Sequence, residues 1–149
     1  MGLIGKVWKR LPKNARTSIT RGVQVRFTVS AAGIITNEKG QVLLLNHILR
    51  PVSGWGVPGG FLNAGEQAEA AFRREVKEET GLIVTDVCIH RIRTFKRHIE
   101  VLFMARATGH GDVLSREITE LGWFDVENIP ADMSLDQQFL IRNALLPPK

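Results

Sequence analysis

Residues 59–82, GGFLNAGEQAEAAFRREVKEETGL, decide how this chain is read. A glycine-bounded loop runs into a segment dense in Ala, Glu, Lys and Arg, which predicts a helix over Glu66–Thr80. Gly81 follows where a helix needs a residue that tolerates the left-handed conformation. Phe72 and Val76 mark the core side of that helix. Glu79 projects only about 20° from Phe72 on the helical wheel. An acid flanked by apolar side chains is partly desolvated, which raises its pKa unless a metal or another cation holds its charge.

Glu75, Glu78 and Glu79 stand at i, i+3 and i+4 and share one side of the helix, spanning roughly 100°. Like charges so placed repel. A hard divalent cation bound through oxygen offsets the repulsion, and its remaining water positions suit a phosphate, so Mg²⁺ or Mn²⁺ is the expected ion. Glu66 sits at the helix start, where negative charge suits the macrodipole. The plainer alternative is a solvated acidic face balanced by Arg73, Arg74 and Lys77.

Working outward, residues 25–36, VRFTVSAAGIIT, predict a strand, Asn37-Glu38-Lys39-Gly40 a turn and QVLLLNH the return strand. The Gly and Pro density from Ile48 to Gly65 predicts a structured loop rather than a helix or strand. Leu82–Thr94 and Ile99–Ala107 read as two strands around a short basic turn. A polar loop, Gly109–Thr119, leads to a strand at Leu121–Val126. Ser134-Leu135-Asp136-Gln137 is a capping-box pattern for a last helix reaching about Leu146. Strands around one strong central helix, with another helix at the end, predict an α/β (α+β) domain layered αβα.

At 149 residues, 44% apolar and 23% charged, the chain fits one globular domain and excludes collagen-like or broadly disordered classes. No apolar run approaches the roughly 18 residues of a membrane span. The single cysteine, Cys88, excludes an intrachain disulfide framework and fits a cytoplasmic setting. It lies in an apolar strand and is expected to be an inert core residue.

Net charge is +5, and Lys6, Lys9, Arg10, Lys13, Arg16, Arg21 and Arg26 all precede the first acid, Glu38. Residues 1–22 therefore read as a basic arm and 23–149 as the main domain. Such an arm attracts nucleic acid, anionic lipid or a phosphorylated substrate, or is simply a solvated positive face. Leu3, Ile4, Val7, Trp8 and Leu11 recur at helical spacing, so a short amphipathic helix ending near Pro12 is expected, packed on its own domain rather than on a membrane.

Gly60, five residues, Glu66, seven residues, then Arg74-Glu75-Val76-Lys77-Glu78-Glu79-Thr80-Gly81-Leu82 resembles the Nudix hydrolase signature at every fixed position. Trp55-Gly56-Val57-Pro58 resembles its lead-in and Leu121-Gly122-Trp123-Phe124 its late strand, so the resemblance covers about Arg26 to Leu146. It implies an αβα sandwich around a mixed sheet. It also implies Mg²⁺-dependent hydrolysis of a phosphoanhydride in a nucleoside diphosphate-linked molecule or nucleotide by metal-activated water. Carried over by position, Glu75, Glu78 and Glu79 are metal ligands, with the Gly59 carbonyl as a further one. Arg74 fixes a glutamate, and Glu66 secures the loop to the helix. Glu117, or else Glu120, is the later acid that serves as ligand or general base. A homodimer is the family default.

Arg26, Arg50, Trp55, Phe61 and Arg93 are the substrate candidates, with His47 and His98 flanking the same segments. Phe95, Lys96 and Arg97 complete a basic hairpin suited to a phosphate or a stacked base. The chain has no tyrosine, and no proline between Gly59 and Ile129, so it lacks the markers resembling the diadenosine-polyphosphate and ADP-ribose subgroups. Two alternatives remain at this level. One is a nucleotide-sensing module without catalysis, disfavoured because every helix carboxylate is kept. The other is an enzyme removing 5′ pyrophosphate from RNA, favoured only by the basic arm.

Overall fold

The computed structural model describes residues 2–50 and 53–146; Pro51 of the Gly/Pro-rich loop and the side chains of Leu3 and Ile4 lie outside what is described. Two helices come first, α1 (Leu3–Arg10) and α2 (Lys13–Val23). Seven strands follow: β1 (Thr28–Thr36), β2 (Val42–His47), β3 (Trp55–Gly56), β4 (Gly59–Phe61), β5 (Thr85–Phe95), β6 (His98–Arg106) and β7 (Ile118–Phe124). Helix α3 (Ala68–Thr80) stands between β4 and β5, and α4 (Leu135–Leu145) closes the described chain.

The strands make one mixed sheet. β1 pairs in parallel with β6 from Thr28↔His98 to Thr36↔Arg106. Its other edge is shared: β2 joins at Thr36↔Val42, and β4 joins at Ser30, Ala31 and Ala32, both antiparallel. The outer strands β3, β7 and β5 are antiparallel to their partners. Sharing one edge of β1 draws Gly59–Phe61 alongside its first half, next to the start of α3.

Both faces of the sheet are covered. Leu43 and Leu45 pack with Ala71, Phe72 and Val76 of α3, while Val42 and Leu44 pack with Leu140 and Ile141 of α4. This is why β2 reads as an unbroken apolar run: a strand buried on both sides has no solvent face to alternate with. Phe72 stacks on Phe103 with centroids 5.2 Å apart, and a Cβ at Gly33 would clash with the outer edge of the Phe72 ring. The αβα layering expected from the sequence is the observed fold.

Four expectations are revised. The loop Ile48–Gly65 contains two short strands, β3 and β4. The Glu66 helix begins at Ala68, with Gln67 as N-cap. Cys88 is exposed, because β5 is an edge strand whose residues are almost all open to solvent. The arm forms two helices rather than one. α2 buries no residue, and none of the described α1 side chains is buried, so the arm is not packed into the domain core.

Candidate active site

Helix α3 and the loop before it place the acids. Gly59 has φ +150°, and a Cβ there would meet Ala31 and Ala32 of β1. A Cβ on Gly60 would overlap the Glu75 carboxyl group. Backbone without side chains is therefore what lets β4 lie against α3. Gly81 caps the helix in the left-handed region at φ +73°, its N–H donating to the Lys77 carbonyl at 2.9 Å.

Arg74 organises the outer carboxylates. Its guanidinium donates to Glu66 (2.8 and 3.0 Å), Glu75 (2.8 Å), Glu78 (3.3 Å) and the Phe61 carbonyl (3.2 Å). Glu66 also accepts from the Asn63 N–H at 2.8 Å. Arg74 and then the Asn63 N–H hold the Glu66 carboxyl down at about 2. Glu66 and Glu75 in turn raise Arg74 above its ordinary value. Glu66 thus ties the loop to the helix, as the resemblance implied.

Glu79 differs from the other acids of its helix. It is 7% exposed, and its carboxylate accepts from the Gly59 N–H at 3.3 Å. Burial pushes its pKa up to about 8. The Gly59 N–H and the Arg50 charge pull it down, while Glu75 and Glu117 push it further up. The His47 Nδ1 lies 3.9 Å from the Glu79 Oε1. Burial, and then the Arg50 charge, lower the His47 pKa to about 4, so the imidazole is neutral at pH 7 and does not neutralise Glu79. His47 Nε2 is buried with no hydrogen-bond partner among the described residues.

Glu117 reaches this neighbourhood because its loop is strapped to the end of α3. The Asp112 N–H donates to the Thr80 carbonyl (2.9 Å) and the Leu114 N–H to the Glu79 carbonyl (3.0 Å). These bonds satisfy carbonyls that a helix C-terminus leaves open. The Ile48 N–H donates to the Glu117 carbonyl at 2.9 Å, fixing the turn on the other side. Glu120 instead lies within β7, opposite Asn46.

This donor set is all oxygen and net negative, which fits a hard divalent cation. Among the described residues no three acids or histidines already converge as a cation cluster. Glu75 and Glu78 each give Arg74 a single oxygen, Oε1 and Oε2 respectively, which leaves the other oxygen of each outside that contact.

The substrate candidates separate. Arg50 is near the site: its Nη2 donates to the Val57 carbonyl at 3.0 Å, and its guanidinium occupies the space a Gly56 Cβ would need. Phe61 is 63% exposed beside the carboxylates. Trp55 is half-buried edge-on to Phe124, with centroids 5.2 Å apart, and is engaged in packing. Arg26 lies with Arg97 in a cleft beside the α2–β1 connection. Arg93 is bound to Glu100 (2.6 Å) and Asp136 (2.9 Å) and lies over Phe95. His98 is held through both ring nitrogens by Thr28 and Ser30 and meets the Phe61 ring edge-on.

Glu100, Asp136 and Gln137, whose side chain accepts from the Val57 N–H at 3.1 Å, are site-bordering residues that the sequence reading passed over. The Arg93–Glu100 pair follows from counting outward from the two-residue turn at Lys96-Arg97, through Phe95↔His98. No local pattern signals the contacts from α4.

Residues 26–143 match the family model of the NUDIX domain. An ADP-ribose pyrophosphatase of Methanocaldococcus jannaschii is 31% identical over 122 residues, covering 77% of this chain and 71% of that protein. The NAD-capped RNA hydrolase NudC of Vibrio cholerae is 30% identical over 100 residues, 65% of this chain but only 37% of that protein's length. The NUDIX domain of Shewanella oneidensis NrtR, solved with ADP ribose, superposes with a TM-score of 0.74 at 16% identity, covering 90% of this chain and 97% of that one. With the family model spanning most of the chain and the helix acids in place, this protein belongs to the Nudix hydrolase family.

Proposed function

We propose that this chain is a Mg²⁺-dependent pyrophosphohydrolase that splits a phosphoanhydride in a nucleoside diphosphate-linked molecule. The observation that carries the reading is Glu79: a buried carboxylate held by the Gly59 N–H, in the field of Glu75 and Glu117, with only a neutral imidazole beside it. Charging this acid in such surroundings costs stability, and a divalent ion is what the charged form fits. When bound, the ion neutralises the pyrophosphate and acidifies a water nucleophile; Mn²⁺ is the expected substitute.

Glu75, Glu78 and Glu79 would hold the ion, with the Gly59 carbonyl as a further ligand. Arg74 positions Glu75 and Glu78 and touches no substrate. Glu117 accepts the proton of the attacking water: it is the acid near Glu79 that Arg74 does not hold. Arg50 faces the phosphates, and the exposed Phe61 ring offers a stacking face for a base, with Arg93 and Arg26 farther out. ADP-ribose is the first substrate to try, because it is named for the Methanocaldococcus relative, although the chain lacks the downstream proline that resembles that subgroup.

The test is hydrolysis of ADP-ribose, NADH, dinucleoside polyphosphates and nucleoside triphosphates with Mg²⁺, then with chelator. Glu79→Gln lowers kcat by at least about 10²-fold. Glu117→Gln also lowers kcat, by about 10²-fold or more. Near-normal turnover by Glu79→Gln, or tight nucleotide binding without phosphate release from any substrate, overturns the reading.

A further inference from the structure

We infer that α1 and α2 form an anionic-lipid docking element, which seats a phosphodiester headgroup between the two helices and rests exposed apolar side chains in the membrane interface. The inference is independent of the hydrolytic site. The family match begins at residue 26, so both helices lie outside it.

Charge is the first observation. Seven bases precede the first acid, and none of them takes part in an ion pair among the described residues. A run of this size near an anionic surface has the composition of a lipid-binding polybasic segment.

The second observation is a cleft of about 540 Å³ between the helices, lined by Trp8, Lys13, Arg16, Arg21 and Gln24 among others. Pro12 sets the bend: it is the N-cap of α2, one residue after α1 is closed by the Leu11 N–H donating to the Trp8 carbonyl. Arg16 is half-buried as a residue, but its Nε atom is shielded from solvent and has no acceptor among the described residues. A buried guanidinium donor without a partner carries a desolvation cost. Nearby hydroxyls do not relieve it: Thr17 and Thr20 donate to the Lys13 and Arg16 carbonyls, and neither oxygen accepts from the Arg16 Nε. A phosphate oxygen in the cleft is an acceptor of the right charge for Arg16, with Lys13 and Arg21 beside it.

Exposed apolar residues decide between a membrane and a nucleic acid. Val7 is 56% and Trp8 39% exposed in α1, while Ile19 and Val23, one turn apart in α2, are 47% and 82% exposed. Val25 and Phe27 are exposed just after it. Phosphate contacts alone would satisfy a nucleic acid, and aliphatic side chains gain nothing from a ribose-phosphate backbone. They gain free energy below lipid headgroups, with Trp favoured at that interface. No described helix is long and apolar enough to cross a bilayer, so the contact lies on the surface.

The experiment is flotation of the full chain with vesicles of phosphatidylcholine alone and of about three parts phosphatidylcholine to one part phosphatidylserine. The chain is expected to float with the anionic vesicles only, and binding should weaken as salt shortens the Debye length. Quenching of tryptophan fluorescence by brominated acyl chains is expected in the wild type and lost in Trp8→Ser. Lys13→Glu with Arg16→Glu should lower partition by at least about tenfold, since each base near such a surface contributes roughly fivefold. Unchanged far-ultraviolet circular dichroism of these variants reports that the arm helices still form. Equal binding by the charge-reversed variant, or no flotation with anionic vesicles, overturns the inference. So does displacement by inorganic phosphate at constant ionic strength, which marks a free-phosphate site. Binding of single-stranded RNA without vesicle binding assigns the arm to nucleic acid and overturns it equally.

Discussion

Glu79 connects protonation to folding. Its pKa is about 8 in the folded chain against an ordinary value of 4.5. Below pH 4.5 the folded and unfolded chains are both protonated there. Between 4.5 and 8 the unfolded chain has released the proton that the folded chain retains, so stability of the metal-free protein falls as pH rises through that window. Thermal melts in chelator should show this decline, and Glu79→Gln should flatten it, raising the midpoint at pH 8 by about 2 °C or more. Mg²⁺ should restore the wild type most strongly at high pH, because the ion binds the deprotonated acid. Arg74→Lys tests the neighbouring group. A lysine lacks the fork that spans Glu66, Glu75 and the Phe61 carbonyl, so activity or metal affinity should drop about 10–100-fold. An unchanged Mg²⁺ dependence in that variant would remove Arg74 from its positioning role. The wheel angle from Phe72 was enough to foresee that Glu79 turns inward. The Gly59 bond and the neutral His47 were not foreseeable, since both come from segments brought together only by the sheet.

Among the elements, α3 is fixed by one aromatic contact as well as by its acids. Gly33 leaves room for Phe72, which stacks on Phe103. Phe72→Ala should cost about 3–5 kcal/mol. Gly33→Ala should also destabilise, yet the double variant should be better than the sum, because the new methyl enters space the ring has left; denaturant midpoints of the three proteins check this. The long elements were readable: β1, β2, α3 and α4 carry clear periodicity or caps, including the Ser134 side chain accepting from the Gln137 N–H. The short strands β3 and β4 have too few residues to show a period. Cys88 misled for a related reason. Its apolar neighbours suggest a core, but β5 has pairing on one side only and register shifts at Thr85/Cys88 and Ile89/Arg91. Native protein should accordingly titrate one thiol per chain with an aromatic disulfide reagent; a silent thiol would contradict the exposed edge.

The whole molecule separates into a two-faced sandwich and a helical arm that contributes no described residue to either core cluster. Removing residues 1–22 should therefore leave kcat/KM for a small substrate within about twofold, roughly 0.4 kcal/mol in activation free energy. The layered architecture was legible because one strong helix sits among β-rich segments. The second arm helix was not, since KNARTSITRGV is mostly polar, with only Ala15, Ile19 and Val23 as an apolar row. The parallel β1–β6 pair joins residues about seventy positions apart, and α3 with all its acids lies inside that loop. Contacts so distant in sequence slow the search for the native state. During synthesis β1 waits without its longest partner until Arg106 has left the ribosome, so a chain interrupted before that point cannot hydrolyse anything, even though every signature residue has already been made.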